Sequence, residues 1–104
     1  MSETFPAVGH RYLVDFQKFR VELYFESDKS LTYTGIHTDC SRGSSETVAI
    51  TVVPIRDQVF LVTWQEADGT TVVHIEDYKQ NTIITNITER MKFSKYHGQM
   101  TLIS

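Results

Sequence analysis

The chain has 104 residues and a mass of 12.0 kDa, with 40% apolar and 22% charged positions, the balance of one globular domain with a single small core. Ten Lys and Arg against thirteen Asp and Glu leave a formal net charge of -3, so no basic field gathers phosphate backbones or anionic lipid, and neither nucleic acid nor a membrane is an expected partner. No apolar run approaches the roughly 20 residues of a membrane helix, the opening MSETFPAVGH lacks a charged-then-apolar leader pattern, and the lone Cys40 has no internal disulfide partner, so a cytoplasmic domain spanning 1–104 and standing on burial alone is expected.

Apolar residues alternate at period 2 almost throughout, which argues for half-buried strands. Tyr12 to Phe16 reads as the first strand. In the second, Phe19, Val21, Leu23 and Phe25 share one face, while Arg20, Glu22, Tyr24 and Glu26 share the other. The polar turn Ser27-Asp28-Lys29-Ser30 leads into a third strand, Leu31 to Ile36, so the two should form a hairpin. Asp39 to Glu46, DCSRGSSE, is polar and rich in Gly and Ser, and reads as a loop. Thr47 to Val53 is β-branched, and Pro54 after it marks a strand end or a sheet edge, because proline cannot donate to a ladder. Val59 to Glu66 and Thr70 to Tyr78 flank Ala67-Asp68-Gly69 as a hairpin. Thr82 to Thr88 and His97 to Ile103 bring the total to about eight strands. The expected fold is all-β: a small antiparallel up-and-down β-barrel, in which closure removes exposed edges. A two-sheet sandwich satisfies the same periodicity.

Two registers are open to the VFLVTWQEADGTTVVHIEDY hairpin. A two-residue Asp68-Gly69 turn pairs Glu66 with Thr71 and puts Trp64 opposite Val73, with His74 on the other face. A three-residue loop with Gly69 left-handed pairs Glu66 with Thr70, so that Trp64 faces Val72, Val62 faces His74 and Phe60 faces Glu76. One residue of slip exchanges the faces.

The string VFLVTWQEADGTTVV resembles the hairpin of the phenolic acid decarboxylases, and the run on to HIEDYKQNTIITNIT looks closer to the MoaF-like proteins (molybdenum cofactor biosynthesis protein F-like). The similarity extends back through GHRYLVDF, KFRVELYF and SDKSLTYTG, covering Gly9 to Ile87. It implies a calycin, lipocalin-like barrel working without metal or organic cofactor. The decarboxylases carry Pro where this chain has Ala67, a residue suited to the first right-handed turn position, so the resemblance favours the three-residue loop and sends Glu66, His74 and Glu76 inward. Tyr12 matches the first tyrosine of the decarboxylase site, Glu66 its carboxylate, and Arg42 falls near its arginine if a short deletion is allowed. Val14 stands in place of the second tyrosine, so phenolic acid decarboxylation itself is not expected.

Glu66 beside Trp64 on an inward face would be a carboxylate in a partly desolvated cavity, suited to acid or base work. The plain alternative is a solvated rim glutamate. His74 and Glu76, two apart on one strand, point the same way and could join Glu66 in a relay or a polar clamp, although a satisfied structural histidine is as ordinary a reading. Tyr12, Tyr33, Val62 and Trp64 are the candidate walls for a flat or apolar small molecule, against the reading that they are simply core. Arg42 and Asn86 are further ligand-binding candidates, each of which could instead be solvated or satisfy nearby backbone. His10, His37, His74 and His97 have no short ligand spacing, so no metal site is expected. With Trp64 and Glu66 inward, Leu61, Val73 and Ile75 form an outward apolar strip, for which a second copy in a homodimer is the expected cover. Small-molecule binding is the first functional expectation. Cofactor-independent acid/base catalysis in the same pocket is the second, and an accessory role in a biosynthetic pathway the third.

Overall fold

The computed structural model describes residues 4–104, so the first three residues of the opening stretch lie outside it. Among the described residues there are nine strands rather than eight: β1 (Arg11–Asp15), β2 (Arg20–Phe25), β3 (Ser30–Ile36), β4 (Arg42–Ala49), β5 (Thr51–Arg56), β6 (Val59–Gln65), β7 (Thr71–Asp77), β8 (Thr82–Glu89) and β9 (Lys92–Leu102). They make one antiparallel sheet in the order β4-β3-β2-β1-β9-β8-β7-β6-β5, which replaces the sandwich alternative with a single curled sheet. Among the described residues no helix is long and apolar enough to cross a membrane.

The topology explains the curl. β4 and β5 lie at opposite ends of the sheet, yet only Ile50 separates them in the chain, so the sheet must roll until the end of β4 reaches the start of β5. Ile50 is buried at the bend, and its N–H donates to Lys29 O at 3.0 Å, an ordinary ladder length. The expected strand over Thr47 to Val53 is therefore two strands, one pairing with β3 and one with β6. Pro54 sits inside β5, on the sheet edge, where its missing N–H leaves no gap in the ladder.

One expected loop is largely strand, and one expected strand starts earlier. Arg42 to Glu46 belongs to β4, whose polar composition reflects an edge strand wet on its outer side. Only His37 to Ser41 turns, closed by His37 N–H to Ser41 O at 2.8 Å. β9 begins at Lys92 instead of His97, after a hairpin turn in which Arg90 and Met91 both have positive φ, 49° and 67°. That backbone usually calls for Asn-Gly, so the sequence carried no turn signal there.

Every second side chain points inward. Val14, Leu23, Phe25, Leu31, Phe60, Val62 and Ile83 are buried in the barrel, each such side chain contributing about 1.5–3 kcal/mol. The segment before β1 closes one end: Phe5 packs edge-on against Phe25, Phe60 and Tyr78 at 5.1–5.7 Å between centroids. Gly98 on β9 permits a close crossing, since a Cβ there would lie 2.7 Å from the Phe16 ring and 2.9 Å from Asp15 O.

Outside, Val53, Leu61, Ile75 and Ile84 stand in register across β5 to β8 as one apolar row. On the opposite wall Glu22 faces out but is covered, accepting from Arg11 at 2.9 Å and from Arg42 at 2.7 and 3.2 Å. The Arg42 hydrogen bond, foremost, holds the Glu22 carboxyl below its usual 4.5 against the opposing effect of burial. A carboxyl lowered on folding binds fewer protons than in the unfolded chain, so its contribution to stability is present above the unfolded value and is lost as pH falls through the lowered one. Denaturation midpoints of the wild type should therefore fall more steeply than those of Glu22→Gln on acidification below about pH 4.5. Parallel loss in the two proteins would show that this cluster does not contribute.

Candidate functional site

The β6–β7 hairpin places most of the chemistry. Glu66 N–H donates to Thr70 O at 2.7 Å, Gly69 has φ 93°, and Trp64 pairs with Val72, Val62 with His74 and Phe60 with Glu76. This is the three-residue loop, with Trp64, His74 and Glu76 all turned into the barrel.

A cavity of about 280 Å³ occupies the end of the barrel away from Phe5. Of the residues expected at a site, Tyr33, Trp64, Glu66 and His74 line it. Exposure falls from 38% at Phe19, on the rim, to 4% at His74 and 1% at Thr85, so these last two mark the deep wall. Tyr33 and Trp64 stack as one aromatic side, 6.2 Å between centroids and 23° between planes. The His74 ring meets the indole edge-on at 4.7 Å.

Polar contacts fix this aromatic side at the mouth. Trp64 Nε1 donates to Glu66 at 3.1 Å, and the Tyr33 hydroxyl donates to Glu46 at 2.5 Å. The other Glu46 oxygen accepts from Ala67 N–H at 2.9 Å, clipping edge strand β4 to the hairpin across the seam of the barrel. Burial first, and then the hydrogen bond to Glu46, push the Tyr33 phenol well above its ordinary range, so it acts as a neutral donor. Glu46 escaped sequence reasoning because its segment looked like a loop; with β4 recognised, its pairing with Tyr33 follows from strand parity.

Beneath the cavity lies a buried polar chain. Glu76 is fully buried; one oxygen accepts from the Tyr78 hydroxyl at 2.6 Å and the other sits 2.9 Å from His74 Nδ1. Burial, followed by the negative charge of Glu76, raises the Tyr78 phenol, and the same two causes raise Tyr12. Glu76, Tyr12 and Val62 therefore support the cavity from behind and do not line it. Tyr12 packs against Phe25 and Tyr78 in the sealed half.

Two expected ligand residues lie elsewhere. Arg42 pairs with Ile36 beyond the bulge at Thr34–Ile36, which sets it on the outer face with Glu22. Asn86 alternates out between inward Thr85 and Ile87, opposite Val73, whose carbonyl its amide contacts at 3.5 Å. Among the described residues no three of His, Cys, Asp and Glu gather as a metal would require.

Thr85 carries the least expected feature. Its Oγ1 is buried on the cavity wall and has no hydrogen-bond partner among the described residues. An unmet buried hydroxyl costs roughly 1–3 kcal/mol.

The sequence model of the MoaF-like family matches residues 8–101. None of the curated proteins compared matches the chain. A solved structure from Burkholderia vietnamiensis, provisionally described as a beta-lactamase, is similar over 98% of this chain and 100% of its own, at 25% identity and a TM-score of 0.87.

Replacing Thr85 with Val keeps the shape and removes the unmet hydroxyl. The ligand-free variant should melt higher, by about 4–8 °C for each kcal/mol recovered in a domain of this size. A lower melting temperature would mean that the hydroxyl is satisfied in solution.

Proposed function

The chain belongs to the MoaF-like family, and from that premise we propose that its barrel binds a small, flat, partly apolar molecule in the cavity beside Trp64. The observation that carries this reading is the shape and chemistry of the cavity: an aromatic side of Tyr33 and Trp64, a mouth bearing Glu66, and a polar far end at His74 and Thr85. Ligand pockets commonly combine apolar walls with a few placed polar groups and run from about 300 Å³ upward. At about 280 Å³ the cavity suits a molecule of one or two rings.

Cofactor-independent acid/base chemistry in the same cavity is the second reading. It is favoured by His74 with Glu76 behind it at 2.9 Å, the arrangement in which a carboxylate orients a general base. The beta-lactamase description of the Burkholderia structure is not carried over. The Ser-x-x-Lys motif of serine beta-lactamases does not occur in this sequence.

A thermal-shift screen over aromatic acids and terpenoid-like metabolites tests the binding reading, because a ligand of the folded state stabilises by about 2.7 kcal/mol at a hundredfold excess over its Kd. Ligands that raise the melting temperature should also shift the fluorescence of Trp64, the single tryptophan of the chain. Melting shifts with unchanged Trp64 emission would place binding elsewhere and overturn the reading. Turnover of such a ligand that is lost in His74→Gln while its binding persists would identify a catalyst; equal loss of both would identify a receptor.

A further inference from the structure

Two adjacent groups on the deep wall are unmet by protein, and together they specify a ligand group. Thr85 and His74 are direct cross-strand partners on β8 and β7, both pointing inward. Thr85 Oγ1 has no hydrogen-bond partner, and His74 Nε2 makes no hydrogen bond among the described residues. The Nδ1 side of the ring is committed to Glu76, whose other oxygen already accepts from Tyr78. An ionised carboxylate only accepts, so Nδ1 carries a ring proton, and in the neutral form of the ring Nε2 is left as an acceptor.

We propose that this end of the cavity recognises a neutral hydroxyl carried on an apolar ring, which donates to His74 Nε2 and accepts from the Thr85 hydroxyl. The inference rests on the cavity being a ligand site and deepens that reading by naming the group bound. Compared with an ether or a hydrocarbon, only a hydroxyl supplies a donor and an acceptor on one atom. A methyl ether offers no donor to Nε2, and a hydrocarbon offers neither. A carboxylate would set its acceptor oxygens against the bare ring nitrogen and bring charge to a wall only 1–4% exposed. The ring then lies along Trp64, with the cavity mouth left for any further substituent.

The probes are phenol, anisole and toluene, and the readout is titration of the indole N–H resonance of Trp64, unique in this chain. Apolar transfer alone ranks toluene and anisole above phenol, because phenol has more polar surface to desolvate. The proposal predicts the reverse: phenol binds about tenfold tighter than anisole or toluene, the scale expected of a pair of hydrogen bonds in a closed site. In Thr85→Val the preference should collapse, with toluene binding kept, and in Thr85→Ser it should return. Toluene binding without a preference for phenol would overturn the hydroxyl site and leave the cavity reading standing. A preference undiminished in Thr85→Val would also overturn it. If none of the three probes moves the indole resonance, both the hydroxyl site and the ligand cavity fall together.

Discussion

The fully buried carboxylate of Glu76 is the group around which the barrel interior is arranged. Taking such a group out of water costs several kcal/mol unless hydrogen bonds replace its hydration. Here the phenol of Tyr78 and the ring of His74 do so, at 2.6 and 2.9 Å. The consequences run in two directions. Toward the sealed end, Tyr78 is held where it packs with Phe5, Tyr12 and Phe60, closing the barrel with aromatic edges. Toward the open end, the His74 ring is fixed in orientation and supports Trp64, whose stacking with Tyr33 forms the cavity wall.

The interior thus divides into a packed half and a hollow half, with the polar chain between them. Glu46 holds the hollow half together across the seam where β4 and β5 leave the sheet open. This explains how a barrel whose edge strands do not pair can keep a cavity of about 280 Å³ in a chain this short. One side chain ties the edge strand, the aromatic wall and the hairpin turn.

Much of this was legible in the sequence where one physical rule acted alone. Period-2 alternation located most strands, whereas turn chemistry left two registers open at Ala67-Asp68-Gly69, and it was the family resemblance that favoured the three-residue loop sending Trp64, His74 and Glu76 to one face. Legibility failed where composition and geometry part company. A solvated edge strand has the same residues as a loop, which hid β4 and with it Glu46. The turn at Arg90-Met91 adopts a left-handed backbone without the glycine or asparagine that would announce it. Arg42 was a ligand candidate through the decarboxylase resemblance, and a bulge, invisible in sequence, sets it on the outer face instead. Asn86 needed only parity: its neighbours Thr85 and Ile87 are the inward pair. Thr85 itself looked like any strand threonine, since an unmet hydroxyl exists only once its surroundings are known.

The protonation pattern of the His74 ring tests the arrangement most directly. A long-range proton–nitrogen correlation spectrum of the ligand-free protein at neutral pH distinguishes the two ring nitrogens. The ring proton is expected on Nδ1, held by Glu76, with Nε2 bare toward the cavity. A proton resident on Nε2, with Nδ1 bare, would mean that Glu76 does not orient the ring as an acceptor, and would contradict the account.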